Sequence, residues 1–339
     1  MKTKVSDFLE VLKNLKVAVD SRQRIEQTDK FIFNNNVIYT FNDNIAVQTF
    51  LDTGITGAID SKLLFNFINK LSKNEEIELE QQESSLFIKY GKSNQAEFKL
   101  EEIKLQLDID KPENWKELPE DFKQAVNTVS KAVSKNLAVP VLACIHWKDN
   151  ILESCDNFRV LQWELGTNYN IDTSVFANEM IQVDFSNLHY VSTDVKDWLI
   201  FKNKDDKMMV AFRVFANQYP DLEQLKQSLQ IKEAIEVNLA KSKLIPVIER
   251  ALAFTSNEDE PLIKVSIDKN SITVNATTSY GKFNERVRIK NDAVAIFNIR
   301  ADLFRDILDL TDKAVVSVDP ALIKFETDKI FHLVLLAAD

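Results

Sequence analysis

The chain reads as an α+β protein made of three repeated domains, each with two helices packed on antiparallel sheets. Three observations predict this. One pattern recurs over residues 61–103, 185–225 and 301–336, each copy opening with a short amphipathic stretch and continuing through alternating strands. Ahead of each copy lies another amphipathic stretch, at residues 5–15, 118–126 and 242–252. The length of 339 residues exceeds a typical single domain and suits two or three.

The elements follow in order. Phe8, Leu12 and Leu15 recur at helical spacing behind Ser6 and Asp7, either of which can cap the first turn, so a first helix is expected there. Phe31-Ile32-Phe33 and residues 37–41 read as strands joined by the polar turn Asn34-Asn35-Asn36. Ser61 opens the second helix of the first copy, Phe185 that of the middle copy and Ala301 that of the last. First-helix positions Phe8, Phe122 and Leu244 lie 114 and 122 residues apart, and the three second helices 124 and 116 apart, a period of whole domains. Pro246 lacks a backbone donor and predicts a late start or a kink in the third first-helix. Residues 108–116, polar and containing Pro112, read as the first interdomain connection, and residues 227–233 as the second. Neither is rich in Gly and Ser, which implies stiffly placed domains. The expected boundaries are 1–115, 116–231 and 232–339.

Composition removes several functional classes. Cys144 and Cys155 are the only cysteines, which gives no disulfide framework and predicts buried thiols. His146, His189 and His332 show no metal-ligand spacing, so neither a metal nor another cofactor is expected. Gly91-Lys92-Ser93 has the ending of a phosphate-cradling loop, yet Leu86 stands where its first glycine belongs. No apolar run approaches the ~20 residues of a membrane span. The N-terminal residues lack the features of a signal peptide, making a cytoplasmic location the expectation. Asp156 with Arg159, and the acidic run Glu258-Asp259-Glu260, lack the converging partners that catalysis or metal binding needs, so no catalytic residue is assigned. A net charge of -10 argues against a protein coated with nucleic acid but leaves room for one basic face.

The third copy carries recognisable words. The run Leu244 to Thr255, then Ser256-Asn257, then Ile296-Phe297-Asn298-Ile299, resembles the third domain of the bacterial DNA polymerase III beta subunit, the sliding clamp. Gln218-Tyr219-Pro220-Asp221 resembles that family's aromatic-Pro-Asp segment, and Ser154-Cys155-Asp156-Asn157-Phe158-Arg159-Val160 its Thr-Asp-Gly-x-Arg-Leu strand end. The resemblance extends along the whole chain, strongest in the third domain. It implies a head-to-tail homodimer whose domains close a ring around double-stranded DNA, helices inward, holding a DNA polymerase and a clamp loader through short peptide motifs rich in Gln, Leu and Phe. Sliding needs only sequence-independent phosphate attraction, which a locally basic lining supplies.

Two residue sets follow from the resemblance. The lining candidates are Lys13, Lys16, Arg22, Arg24, Lys62, Lys70, Lys73, Lys123, Lys131, Lys135, Lys241, Lys243, Arg250, Arg300 and Arg305. Asp302, Asp306, Asp309 and Asp312 offset the arginines of the last helix, which shifts expected DNA contact toward the first domain and the first helices. A partner-peptide cleft between the second and third domains maps to Leu142, Cys155, Asn157, Phe158, Arg159, Val160, Pro220, Leu225, Asn298, Leu333 and Leu335. The chain departs from the family at Asn157, where glycine is usual, and in an ending unlike Met-Pro-Met-Arg. The competing class is a three-domain interaction scaffold that does not encircle DNA.

Overall fold

The computed structural model describes every residue except Gln23, Gln230, Lys232 and Asp339. Its α-helices are α1 (Val5–Lys16), α2 (Ser61–Ile68), α3 (Phe122–Val129), α4 (Ala177–Met180), α5 (Leu222–Ser228), α6 (Lys241–Phe254) and α7 (Ala301–Leu310). None of the described helices is long and apolar enough to cross a membrane. The α+β class with antiparallel sheets is observed.

The chain folds into two compact units. One holds Met1–Asn127, Ala143–Asp149 and Thr167–Asn217, and the other Thr128–Leu142, Asn150–Gly166 and Gln218–Asp339. Each therefore contains one end copy of the repeat and part of the middle copy, because strand pairing runs across the expected boundaries near residues 115 and 231. In the first unit Met208–Arg213 pairs with Ile45–Asp60, joining Ala46 to Ala211. In the second, Arg159–Glu164 pairs with Ile330–Leu335, joining Val160 to Leu333.

The first unit contains a six-stranded sheet in the order Lys30–Phe41, Ile45–Asp60, Met208–Arg213, Trp198–Lys202, Tyr190–Ser192, Lys116–Glu117. The expected short hairpin at Asn34–Asn36 is absent: residues 30–41 form one strand. The register shifts between Asn35 and Val37, so the polar triplet is a bulge, with Asn35 at φ 54°. Asparagine adopts that conformation at low cost, which let a turn-like sequence persist inside a strand. A four-stranded sheet of Lys2–Lys4, Glu76–Gln82, Ser85–Tyr90 and Asn94–Lys99 completes this end. Gly91-Lys92-Ser93 is the turn between its last two strands rather than a phosphate loop.

α1 buries Val5, Phe8, Leu9, Leu12 and Leu15, the face its spacing predicted. Each such side chain contributes about 1.5–3 kcal/mol of burial. The second helix of the middle copy begins at Ala177, not Phe185: it makes one turn as α4 and is followed by a 3-10 turn at Phe185–Asn187. Asn178, Ile181 and Val183 are weak helix formers, and Asp184 accepts from Ser186 N to start the new turn. Phe185 is instead a core residue, 5.1 Å from Phe122 and 5.2 Å from Phe201 between ring centroids. α6 starts at Lys241, upstream of Pro246, so the late start is not observed.

Residues 103–109, which run into the expected first connection at 108–116, form a docked strap. Ile103, Leu105, Leu107 and Ile109 alternate inward onto the six-stranded sheet, against Tyr39, Ala58, Ala46 and Trp198. The buried Gln27 side chain donates to Glu102 O at 2.7 Å and accepts from Lys104 N and Leu105 N at 2.8 and 3.1 Å. Tyr39 Oη donates to Leu105 O at 2.6 Å. Of the second expected connection, residues 227–228 close α5, and Gln230 and Lys232 lie outside the described residues.

The second unit has six strands in the order Ile151–Cys155, Arg159–Glu164, Ile330–Leu335, Ala321–Glu326, Lys313–Val318, Ala234–Asn238. A second sheet runs Gly281–Val287, Ser271–Thr278, Leu262–Asp268, Ala295–Arg300. α6 and α7 pack side by side over a core that includes Leu244, Ile248, Phe304 and Ile307.

Candidate functional site

The expected cleft residues gather in the second unit around one tight turn. Ile151–Cys155 and Arg159–Glu164 form a hairpin whose turn is Asp156-Asn157-Phe158. Asp156 Oδ1 accepts from Phe158 N at 2.8 Å and Arg159 N at 3.0 Å, which fixes the turn through its own side chain. Asn157 is not among the residues with positive φ, so the turn does not use the left-handed backbone that favours glycine.

Strand alternation then sorts the side chains by face. Val160 lies opposite Leu333, and Phe331, Leu333 and Leu335 share that face. Cys155, Val160, Tyr219 and Leu222 form a buried apolar cluster flanked by Val141, Leu142 and Phe331. Leu225 and Leu335 are each 41% exposed, and Pro220 is exposed beside Tyr219. The cluster is a buried apolar patch, and half-exposed Leu335 continues it along the same strand face.

Hydrogen bonds hold this cluster together. Cys155 N donates to Tyr219 Oη at 2.9 Å, and Tyr219 Oη donates to Cys155 Sγ at 3.6 Å. Burial, then the neighbouring Cys155, pushes the Tyr219 hydroxyl far above its ordinary pKa, and burial raises the Cys155 thiol. Both groups are therefore neutral near pH 7 and act as packing and hydrogen-bonding groups rather than nucleophiles. α5 is capped by Asp221, which accepts from Gln224 N at 3.0 Å. Lys226 of α5 reaches Gln162 Oε1 at 3.0 Å, and Gln162 Nε2 reaches Glu153 Oε2 at 2.7 Å, tying the helix to the sheet.

Arg159 faces the other way, onto α7. It is 8% exposed, and its Nε donates to Asp156 Oδ2 at 3.1 Å and its Nη1 to Asp306 Oδ2 at 2.5 Å. Lys131 Nζ donates to Asp309 Oδ2 at 2.7 Å and lies 3.7 Å from Asp306 Oδ1. His332 is buried on this face beside Phe325, and neither ring nitrogen has a hydrogen-bond partner among the described residues. Burial first, then the charges of Arg159 and Lys131, push its pKa down to about 3.

Phe158 and Arg159 also line a cavity of about 250 Å³ with Lys135, Asn136, Arg300 and Asp302. Arg300 lies over the Phe158 ring at 5.2 Å and pairs with Asp302 at 2.7 Å. Burial by itself raises the Asp302 carboxyl, but the Arg300 hydrogen bond and neighbouring donors outweigh it and hold the pKa below the usual range. Leu335 N donates to Phe158 O at 2.7 Å, and Ala337 N to Asn298 O at 2.9 Å, so Asn298 meets the chain two residues beyond the groove rim. Sequence reasoning missed Val141, Leu222 and Phe331 as members of this cluster and Asp306 as the partner of Arg159. Tyr219 was visible in its aromatic-Pro-Asp motif, whereas the others carry no local signal.

The basic candidates differ in their partners. Arg22, Lys123, Lys131, Arg250, Arg300 and Arg305 are ion-paired, to Asp20, Asp184, Asp306 with Asp309, Glu285, Asp302, and Asp309 with Glu249. Lys13, Arg24, Lys62, Lys70, Lys73, Lys135 and Lys241 have no ion-pair partner among the described residues, and all but Lys241 are exposed. Lys16 sits over the Phe65 ring at 4.4 Å, and Lys243 Nζ donates to Arg288 O at 3.1 Å. In the first unit, unpaired cations thus cluster on α1, α2 and the residues just after them.

No family model and no curated protein matches this sequence. Solved structures do match along the full chain. A putative DNA polymerase III beta subunit from Eubacterium rectale superposes with a TM-score of 0.82 at 16% identity, over 100% of this chain and 99% of that one. The DNA polymerase sliding clamp of Bacillus subtilis gives 0.82 at 15%, over 100% and 98%. A sliding clamp from Pseudomonas aeruginosa, bound to griselimycin, gives 0.81 at 12%, over 100% and 99%. Despite low identity, the chain carries over its entire length the three-domain fold of the bacterial DNA polymerase III beta subunit, the sliding clamp, as a divergent example of it.

Proposed function

We propose that this protein is a DNA sliding clamp: a non-catalytic processivity factor that closes as a homodimeric ring around duplex DNA and tethers a DNA polymerase and other partners. The full-length fold likeness carries this reading, and the apolar cluster around Tyr219 supports it. Three domains, at 1–115, 116–231 and 232–339, supply the ring segments. Lys13, Lys16, Lys62, Lys70 and Lys73 supply most of the phosphate attraction, since no carboxylate among the described residues competes for them. Leu142, Cys155, Val160, Pro220, Leu225, Leu333 and Leu335 receive the apolar anchors of a partner peptide, and such buried anchors dominate the affinity of short motifs. The role belongs in the cytoplasm, with the replication machinery.

A ring needs topological linkage rather than a tight site, so the test is one of topology. Protein assembled on nicked circular DNA is retained through gel filtration and released when the circle is cut once. Equal retention on circular and linear DNA would rule out encirclement and leave the scaffold reading. Native mass gives a second check: a dimer of about 78 kDa, twice the chain mass of 38.9 kDa. A strict monomer at micromolar concentration would count against the ring.

A further inference from the structure

Two turns of this chain are built alike. Asn42 Oδ1 accepts from Asn44 N at 3.1 Å and Ile45 N at 2.9 Å, as Asp156 Oδ1 does from Phe158 N and Arg159 N. Arg213 N donates to Asn44 O at 2.8 Å, as Leu335 N does to Phe158 O at 2.7 Å. The matching residues stand at the spacing of the repeat, so the correspondence runs on along both strands. Ala46 opposite Ala211 corresponds to Val160 opposite Leu333, Phe41 to Cys155, and Met209 to Phe331. Each set packs in an apolar cluster. This sheet face of the first unit is therefore the counterpart of the face that carries the cluster around Tyr219.

The two faces differ in what covers them. Gln162 is held by α5 and its own sheet: its Oε1 accepts from Lys226 Nζ, and its Nε2 reaches Glu223 and Glu153. Gln48 occupies the matching position, but the strap that crosses its face is extended and brings no helix. A cavity of about 480 Å³ opens there, a volume within the range of ligand pockets. Its apolar lining is Val37, Tyr39, Phe50, Ile103 and Leu107, with Phe50 39% exposed. The rest of the lining is Asn34, Gln48 and Gln106, whose side-chain amides have no hydrogen-bond partner among the described residues. Each amide offers two donors and an acceptor oxygen, which complement the C=O and N–H groups of a peptide main chain. None of these lining side chains is charged, so a phosphate, carboxylate or ammonium would be desolvated there without a counter-charge.

We infer that this cavity is a second peptide-docking site, taking an apolar side chain of an uncharged partner segment against Val37, Phe50 and Leu107. Main-chain amides of the segment bond to Gln48 and Gln106, and the segment takes the place that α5 fills beside Gln162. The inference rests on the reading of the cluster around Tyr219 as a peptide site.

Isothermal titration calorimetry of the full-length protein tests it, with acetyl-Gln-Leu-Ala-Leu-Phe-amide as an uncharged probe. Two probes are expected to bind per chain. The Gln48→Ala/Gln106→Ala variant should weaken one site about threefold to tenfold for each hydrogen bond lost and leave the other unchanged. Phe50→Asp, at an exposed position, should abolish that same site, and Leu335→Asp, also at an exposed position, only the other. One probe per chain, lost in Leu335→Asp and indifferent to Phe50→Asp, would overturn the second site and leave the first standing. Failure of the probe to bind at all would remove both readings. Normal probe binding by Phe50→Asp together with a lowered native mass would give this face to a second copy of the chain and overturn the proposal.

Discussion

The backbone N–H of Cys155 is satisfied by the hydroxyl of Tyr219, 64 residues away in sequence and 2.9 Å away in space. That bond joins the strand before the turn to the segment leading into α5, and both groups are buried. The tyrosine oxygen is thus one of the ties between the sheet and α5, beside the Lys226, Gln162 and Glu153 chain.

Tyr219→Phe keeps the ring volume and removes the acceptor, leaving a buried N–H unpaired. The expected loss is about 1–3 kcal/mol in urea denaturation. An unchanged midpoint would mean that the N–H finds another acceptor. Peptide affinity should fall along with stability, because α5 carries Leu225.

His332 makes stability depend on acid. Its folded pKa, depressed to about 3, lies below the ordinary 6.5, so between those values the unfolded chain binds a proton the folded chain refuses. Its proton linkage thus adds no cost well above pH 6.5, and stability falls as pH drops from there toward 3, at up to about 1.4 kcal/mol per pH unit. His332→Leu removes two unsatisfied buried nitrogens and should hold stability at neutral pH while flattening the acid limb. Denaturation midpoints of both proteins at neutral and mildly acidic pH decide it, and parallel curves would exclude His332 as a cause.

Gly57 holds the strap in place by its lack of a side chain. At φ 150° a Cβ there would lie 2.9 Å from Leu100 Cβ and 3.2 Å from Glu101 O, next to the paired Ala58 and Glu101. Gly57→Ala should cost about 2 kcal/mol or more. Limited proteolysis within residues 101–115 should accelerate in parallel. A stable variant with an unchanged cleavage rate would show that the strap yields without cost.

Unpaired and paired cations should differ in their effect on DNA binding. Replacing Lys13, Lys16 and Lys62 by alanine should lower the slope of log affinity against log salt by about 0.9 for each phosphate that is no longer neutralised. Arg305→Ala should change the slope less, since its guanidinium already pairs with Asp309 and Glu249. Equal changes would place α7 at the DNA as firmly as α1.

Much of the fold was legible because helices and strands are local patterns. The stripe of Phe8, Leu12 and Leu15 marks α1 almost residue by residue, and Ala301 opens α7 as its pattern predicts. The failures were also local in cause. Asn34-Asn35-Asn36 carries turn chemistry that a bulge uses equally well. Phe185 sits in an amphipathic pattern, but its ring is needed against Phe122 and Phe201, and the helix falls upstream at Ala177. The strap, polar at Asp108, Asp110 and Lys111, showed its alternate apolar residues, yet nothing nearby named the sheet that would bury them.

The groove was half legible. Cys155 and Val160 lie in a motif and Leu142 came from the resemblance, and the three meet in one cluster, while Arg159 turns away to Asp306. Sequence spacing assigns alternate residues to opposite faces but does not say what covers each face.

By itself the sequence determined the α+β class and helices such as α1 and α7, because hydrophobic period and capping act over a few residues. Only the tertiary structure decided which carboxylates neutralise which cations, that sheets continue across the repeat boundaries, and that Arg159 and Arg300 line one cavity. Those outcomes depend on pairs such as Arg159 with Asp306, 147 residues apart, which meet only after the strands have found their partners.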